Sequence, residues 1–106
     1  FKPCYNKYAG DILGGVYLHV TDEDRFLPFK TGIAIIKTIY DLYPNDFIFL
    51  HDVYEFNSEY PAFNLLCGSD IIRKMILDGA SLQEICDTWN EDENTFYNTR
   101  KNYLLY

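Results

Sequence analysis

The chain has 106 residues, 48% of them hydrophobic, and a net charge of −7 from 9 Lys and Arg against 16 Asp and Glu. That length fits one domain with a real core, and the acidic balance argues against nucleic acid and anionic membrane surfaces, which call for basic patches. Aromatic residues make up 18%, mostly Tyr and Phe, which suits either an aromatic core with half-wet tyrosines or stacking against a sugar or partner.

Phe1 to Gly10 reads as irregular, with Pro3 breaking any ladder. Gly14 to Asp22 then reads as a strand. Val16, Leu18 and Val20 share one face and are expected in the core. Tyr17, His19 and Thr21 share the other, which suits a second packed layer or a polar cleft. Asp22-Glu23-Asp24-Arg25 is a charged turn whose spacing lacks a calcium loop. A helix is expected from Pro28, which suits a first turn, to Tyr43. Its apolar arc over Ile33, Ile36, Tyr40 and Tyr43, widened by Ile35, Ile39 and Leu42, predicts a largely buried helix lying across a sheet. Pro44-Asn45-Asp46 stops it. Phe47 to Leu50 reads as a short buried strand. Val53 to Phe56 is a further short strand candidate, followed by a loop from Asn57 to Pro61.

Ser69 is the expected N-cap of a helix from Asp70 to Asp78 with Gly79 past its end. Ser81-Leu82-Gln83-Glu84 fits a capping box opening a long helix from Leu82 to about Asn98, with Leu82, Ile85, Cys86, Trp89 and Phe96 on its core side. Tyr103 to Tyr106 is apolar enough to dock back on the core. The residues thus predict an α+β fold: a small mixed sheet of short strands packed by about three helices, the C-terminal one long.

Cys4, Cys67 and Cys86 lack metal-type spacing; one disulfide plus a free thiol, or three buried thiols, are both compatible with them. No catalytic motif, metal site or cofactor loop is present, and neither is a signal peptide or transmembrane run. The missing initiator Met and loop-like opening suggest a piece of a longer chain. His19 and His51 read more readily as structural than as acid–base groups; Asp22, three residues after His19, falls on the opposite face of a strand. The candidate substrate-binding residues are Tyr17 and His19 on the polar strand face, and Tyr54 and Glu55 beside the Asn57 loop. A ring that stacks and a carboxylate that accepts from hydroxyls suit a sugar, although such residues are also ordinary on a rim.

In order, Phe1-Lys2-Pro3, Asn6 to Gly10, Gly15-Val16, His19 to Asp22, Thr31-Gly32, Leu42-Tyr43-Pro44, Tyr54-Glu55-Phe56, Gly68-Ser69-Asp70, Trp89, Arg100 and Tyr103 to Tyr106 resemble the C-terminal domain of the exo-β-N-acetylmuramidase family along the whole chain. Two positions depart from the family pattern: Leu13-Gly14 stands where members often have Cys before Gly-Val, and Asn64 where they tend to have Asp. The resemblance implies an auxiliary domain of a secreted or periplasmic two-domain glycoside hydrolase. That enzyme removes N-acetylmuramic acid from non-reducing ends of peptidoglycan, with help from the substrate's own acetamido group. It also implies a Rossmann-like N-terminal partner domain holding the catalytic glutamate, so no catalytic residue falls in this chain. This piece alone is expected to be inactive and to form one wall of a cleft at the domain interface. A stand-alone sugar-binding module and a purely structural interaction domain are the alternatives. A domain of net charge −7 attracts a muramyl carboxylate poorly, so its cationic partner is expected on the other domain, with Lys7, Arg25 and Lys30 as the local alternatives.

Overall fold

A computed structural model describes residues 1–54 and 56–105. Five helices carry its order: α1 (Pro28–Leu42), α2 (Ala62–Cys67), α3 (Ile71–Leu77), α4 (Leu82–Asp87) and α5 (Asn90–Arg100). The central element is α4, which packs on α1, α3 and α5, while α2 packs on α3. Ile33, Ile72, Ile76 and Ile85 form the buried centre, with Ile36, Tyr40, Phe63, Met75, Leu82 and Trp89 packed around it.

The helix ends follow from local chemistry. Pro28 enters α1 in its first turn, where a missing N–H costs nothing. The Thr31 hydroxyl donates to the Leu27 carbonyl at 2.8 Å. Gly79, at φ 78°, closes α3 with its own N–H on the Ile76 carbonyl and the Ala80 N–H on the Met75 carbonyl, at 3.1 and 2.9 Å. Both bonds satisfy end carbonyls, and the left-handed backbone between them favours glycine. Ser69 is not the N-cap of α3. That position falls to Asp70, whose carboxylate pairs with Lys74 at 2.6 Å and is held below its usual range by that bond. The Ser69 hydroxyl instead accepts from the Ile71 N–H at 3.1 Å.

The Ser81 capping box forms as expected. The Glu84 N–H donates to Ser81 Oγ at 3.2 Å, and Glu84 Oε2 accepts from the Ser81 N–H at 2.8 Å. The Ser81 hydroxyl also donates to Glu84 Oε2 at 2.7 Å; this bond first, and then the one from the Ser81 N–H, lowers the Glu84 carboxyl below its ordinary value near 4.5. A carboxyl lowered by folding stabilises the folded state in full above its unfolded value, and that stabilisation is lost as pH falls through the folded value. Ser81→Ala is expected to cost about 1 kcal/mol at neutral pH, read as a drop in the denaturation midpoint, and to leave a shallower acid limb. An unchanged midpoint would mean that the cap contributes nothing.

The expected α+β fold with a mixed sheet is not what forms. The described residues hold a helical fold with no sheet, and their one β-bridge joins Tyr54 to Asn57. Alternation reports what a backbone would do as a strand, but a strand also needs a partner for its N–H and C=O groups. The Gly14 to Thr21 backbone makes no hydrogen bond to other described backbone, and neither does that of Ile48 to Val53. Val16, Leu18 and Val20 are therefore exposed rather than in the core. Phe47 to Leu50 is a strap pinned on one side. Phe47 meets Tyr40, and Phe49 meets Phe47 and Phe63, at ring-centroid distances of 5.9, 4.9 and 4.9 Å, while Ile48 and Leu50 face outward.

The long C-terminal helix is also interrupted, at Thr88-Trp89. The Thr88 hydroxyl donates to the Ile85 carbonyl at 2.7 Å, and Asp87 Oδ1 accepts from Asn90 Nδ2 at 3.0 Å. Such local side-chain bonds compete with the helix ladder. Trp89 turns to meet Phe29 edge-on, with centroids 5.1 Å apart. Beyond the break, Phe96 is exposed rather than on a core side, and Tyr103 to Leu105 do not dock back; Tyr106 lies outside the described residues. The radius of gyration of 17.0 Å exceeds the roughly 13 Å of a compact chain this long. The helices form the packed part, and long stretches of the remaining chain lie exposed outside it.

Candidate functional site

Two of the predicted site residues come together. Tyr17 and His19 project from the same side of the unpaired Gly14–Thr21 segment, their rings edge to face with centroids 4.4 Å apart. Tyr17 is 83% exposed, so most of its ring is open to a ligand. His19 also lines a shallow dish of about 350 Å³ with Val20, Thr21, Asp22, Arg25 and Phe26. The dish follows from the turn after the segment, where Asp22 Oδ1 accepts the Arg25 N–H at 3.2 Å, folding the Arg25 position back beneath His19 and Thr21. Its lining offers an imidazole, a hydroxyl, a carboxylate and a guanidinium. Hydroxyl and carboxylate groups of a sugar acid can use each of these. Among the described residues Arg25 has no ion-pair partner.

Tyr54 stands elsewhere. Its N–H and C=O pair with those of Asn57 at 3.0 and 2.8 Å, and Asn57 Oδ1 accepts from the Glu59 and Tyr60 N–H groups at 2.9 and 3.1 Å. This confirms the expected loop and leaves Tyr54 at its edge. Among the described residues no hydrogen bond, ring contact or shared cavity joins Tyr54 to Tyr17 or His19. Glu55, the fourth candidate, lies outside the described residues.

Sequence reasoning missed a larger feature. The outer flank of α1 faces the Gly14-Gly15-Val16 backbone across an open groove of about 970 Å³, with Phe26, Ile35, Ile39 and Leu42 in its lining. The signal was the apolar arc of α1, wider than one buried face needs. Ile33, Ile36 and Tyr40 face the core, while Ile39, Leu42 and Tyr43 remain exposed. The helix is thus half-buried and lies across no sheet.

Asn64 is buried and accepts from Arg73 Nε at 2.8 Å, a structural contact that joins α2 to α3. All three cysteines are free; Cys4 is exposed, Cys67 intermediate and Cys86 buried. Burial pushes the Cys67 thiol up. Among the described residues no three His, Cys, Asp or Glu side chains stand together as a metal site, and no helix is long and apolar enough to cross a membrane.

The family profile described as "Exo-beta-N-acetylmuramidase NamZ, C-terminal" matches residues 1–106. The chain belongs to the NamZ C-terminal family. It is 41% identical over 106 residues to the peptidoglycan β-N-acetylmuramidase NamZ of Bacillus subtilis (strain 168), a match that takes in 100% of this chain and 24% of that protein. The chain thus spans about a quarter of the length of this curated relative. No solved structure matches. The resemblance noted in the sequence is therefore correct at the level of the family, while the fold expected with it is corrected from α+β to helical.

Proposed function

We propose that this chain is the auxiliary C-terminal domain of a peptidoglycan exo-β-N-acetylmuramidase. In this reading it supplies one wall of the sugar cleft, and a separate N-terminal domain, Rossmann-like by family resemblance, supplies the chemistry. The observation that carries the reading is the 41% identity running along the whole chain yet over 24% of the relative. Three-quarters of a muramidase lies outside the matched part. The Tyr17–His19 pair and the dish beside it support a sugar-facing role. An exposed aromatic ring stacks on a pyranose, and Arg25 is a local cation for the lactyl carboxylate of muramic acid. Tyr54 and Glu55 are candidates for a second contact from the Asn57 loop. This function puts the protein where peptidoglycan lies, secreted or in the periplasm.

The test is hydrolysis of a chromogenic N-acetylmuramic acid glycoside by residues 1–106 alone and by the full-length chain. Turnover by the full-length chain only is the expected result. Turnover by the 106 residues alone would overturn the division of labour and turn attention to carboxylates of this chain such as Asp22 and Glu55. Firm binding of muramyl fragments by these residues, without turnover by either protein, would favour a stand-alone sugar-binding module.

A further inference from the structure

We propose that the groove between α1 and the Gly14–Thr21 segment is the seat of the catalytic domain, and that this segment pairs there as an added strand. The inference rests on the two-domain reading above and assigns the surface through which the two domains meet. Three observations converge on it.

First, the segment is competent to pair but has no pair. None of residues 11–27 has a positive φ, and Gly14 to Thr21 make no hydrogen bond to other described backbone. An open row of N–H and C=O groups is the template on which strand addition works. Second, the groove beneath it is apolar and wide. Val16 is 64% and Leu42 65% exposed on its two sides, and the lining encloses about 970 Å³. Contiguous apolar surface of this kind marks an interaction site rather than ordinary scatter. A muramyl sugar, rich in hydroxyls, fits the polar dish better than this groove. Third, the partner is at hand. The chain spans 24% of its relative, and in the proposed protein the catalytic domain joins ahead of Phe1. The Phe1 ring stands directly over Gly15 in the groove wall, and the backbone nitrogen and carbonyl of Phe1 pair with the carbonyl and N–H of Leu13 at 2.8 and 2.9 Å. A domain tethered there meets the groove at millimolar effective concentration, which a second copy of the chain does not match. Lys30 in the lining suits an acidic rim on the docked face.

Amide hydrogen exchange on the full-length chain tests this. The amides of Val16, Leu18 and Val20 are expected to exchange about 100-fold more slowly than unstructured chain, equally at low and high protein concentration. In the Leu42→Asp variant that protection falls away while the Ile76 amide in the core stays protected. Exchange at unstructured rates in the wild-type chain overturns the proposal. So does protection that appears only at high concentration, which indicates a second copy, or protection that survives Leu42→Asp with no loss. If the protection and its loss are seen but the full-length chain has no muramidase activity, the functional reading fails and the docking surface stands.

Discussion

Replacing Ile76 by Ala is expected to cost about 2–5 kcal/mol, the range for emptying a fully packed site of this size. Ile76 is fully buried and sits among Ile33, Ile72 and Ile85, where α3 and α1 both pack on α4. Domains are stable by about 5–15 kcal/mol, so the loss is a large part of the whole. A shift of the thermal midpoint by roughly 10–20 °C follows, measurable by helical circular dichroism. Leu105→Ala is the control: Leu105 is 95% exposed, and its loss is expected to stay within about 0.5 kcal/mol. A near-zero effect of Ile76→Ala would show that the four isoleucines are not the stabilising centre.

The largest effect on activity is expected at Tyr17. In the full-length chain, Tyr17→Ala is expected to raise KM and lower kcat/KM about tenfold, since a well-placed aromatic contact is worth about 0.5–1.5 kcal/mol beyond its buried area. His19→Ala should act in the same direction. The double variant should lose less than the sum, because the two rings touch at 4.4 Å and each holds the other in place. Steady-state hydrolysis of the muramic acid glycoside reads both effects. The exposure of Tyr17 makes the test clean: its removal opens no core cavity, so the melting midpoint should stay unchanged. Unaltered kinetics in a folded double variant would remove this face from the cleft.

The family was legible in the sequence, as were the beginning of α1, the capping box at Ser81 and the turn at Gly79, because each depends on residues within a few positions of one another. The sheet was misread because alternation is local and pairing is not. Val16, Leu18 and Val20 carry the pattern of a core strand, yet nothing in their spacing says which chain segment lies alongside. The break at Thr88-Trp89 escaped notice for a different reason. The heptad-like run of Leu82, Ile85, Cys86 and Trp89 continues smoothly on paper, while the turn comes from the Thr88 and Asn90 side chains bonding locally and from Trp89 reaching across to Phe29. Among the candidate residues, the meeting of the Tyr17 and His19 rings follows from their shared face. Their separation from Tyr54 depends on how loops cross in space, which no spacing records.

The three free thiols form a depth gauge that the protein carries within itself. Cys4 lies open in the irregular N-terminal stretch, Cys67 is partly covered at the end of α2, and Cys86 is enclosed in α4 beside Ile85. A thiol reagent attacks the thiolate, so cover slows it both by obstruction and, at Cys67, by the raised proton affinity that burial imposes. Timed alkylation followed by mass measurement would thus date the opening of each layer in turn: Cys4 at once, Cys67 as α2 lifts, and Cys86 only when α4 parts from the start of α1 at Pro28 and Phe29.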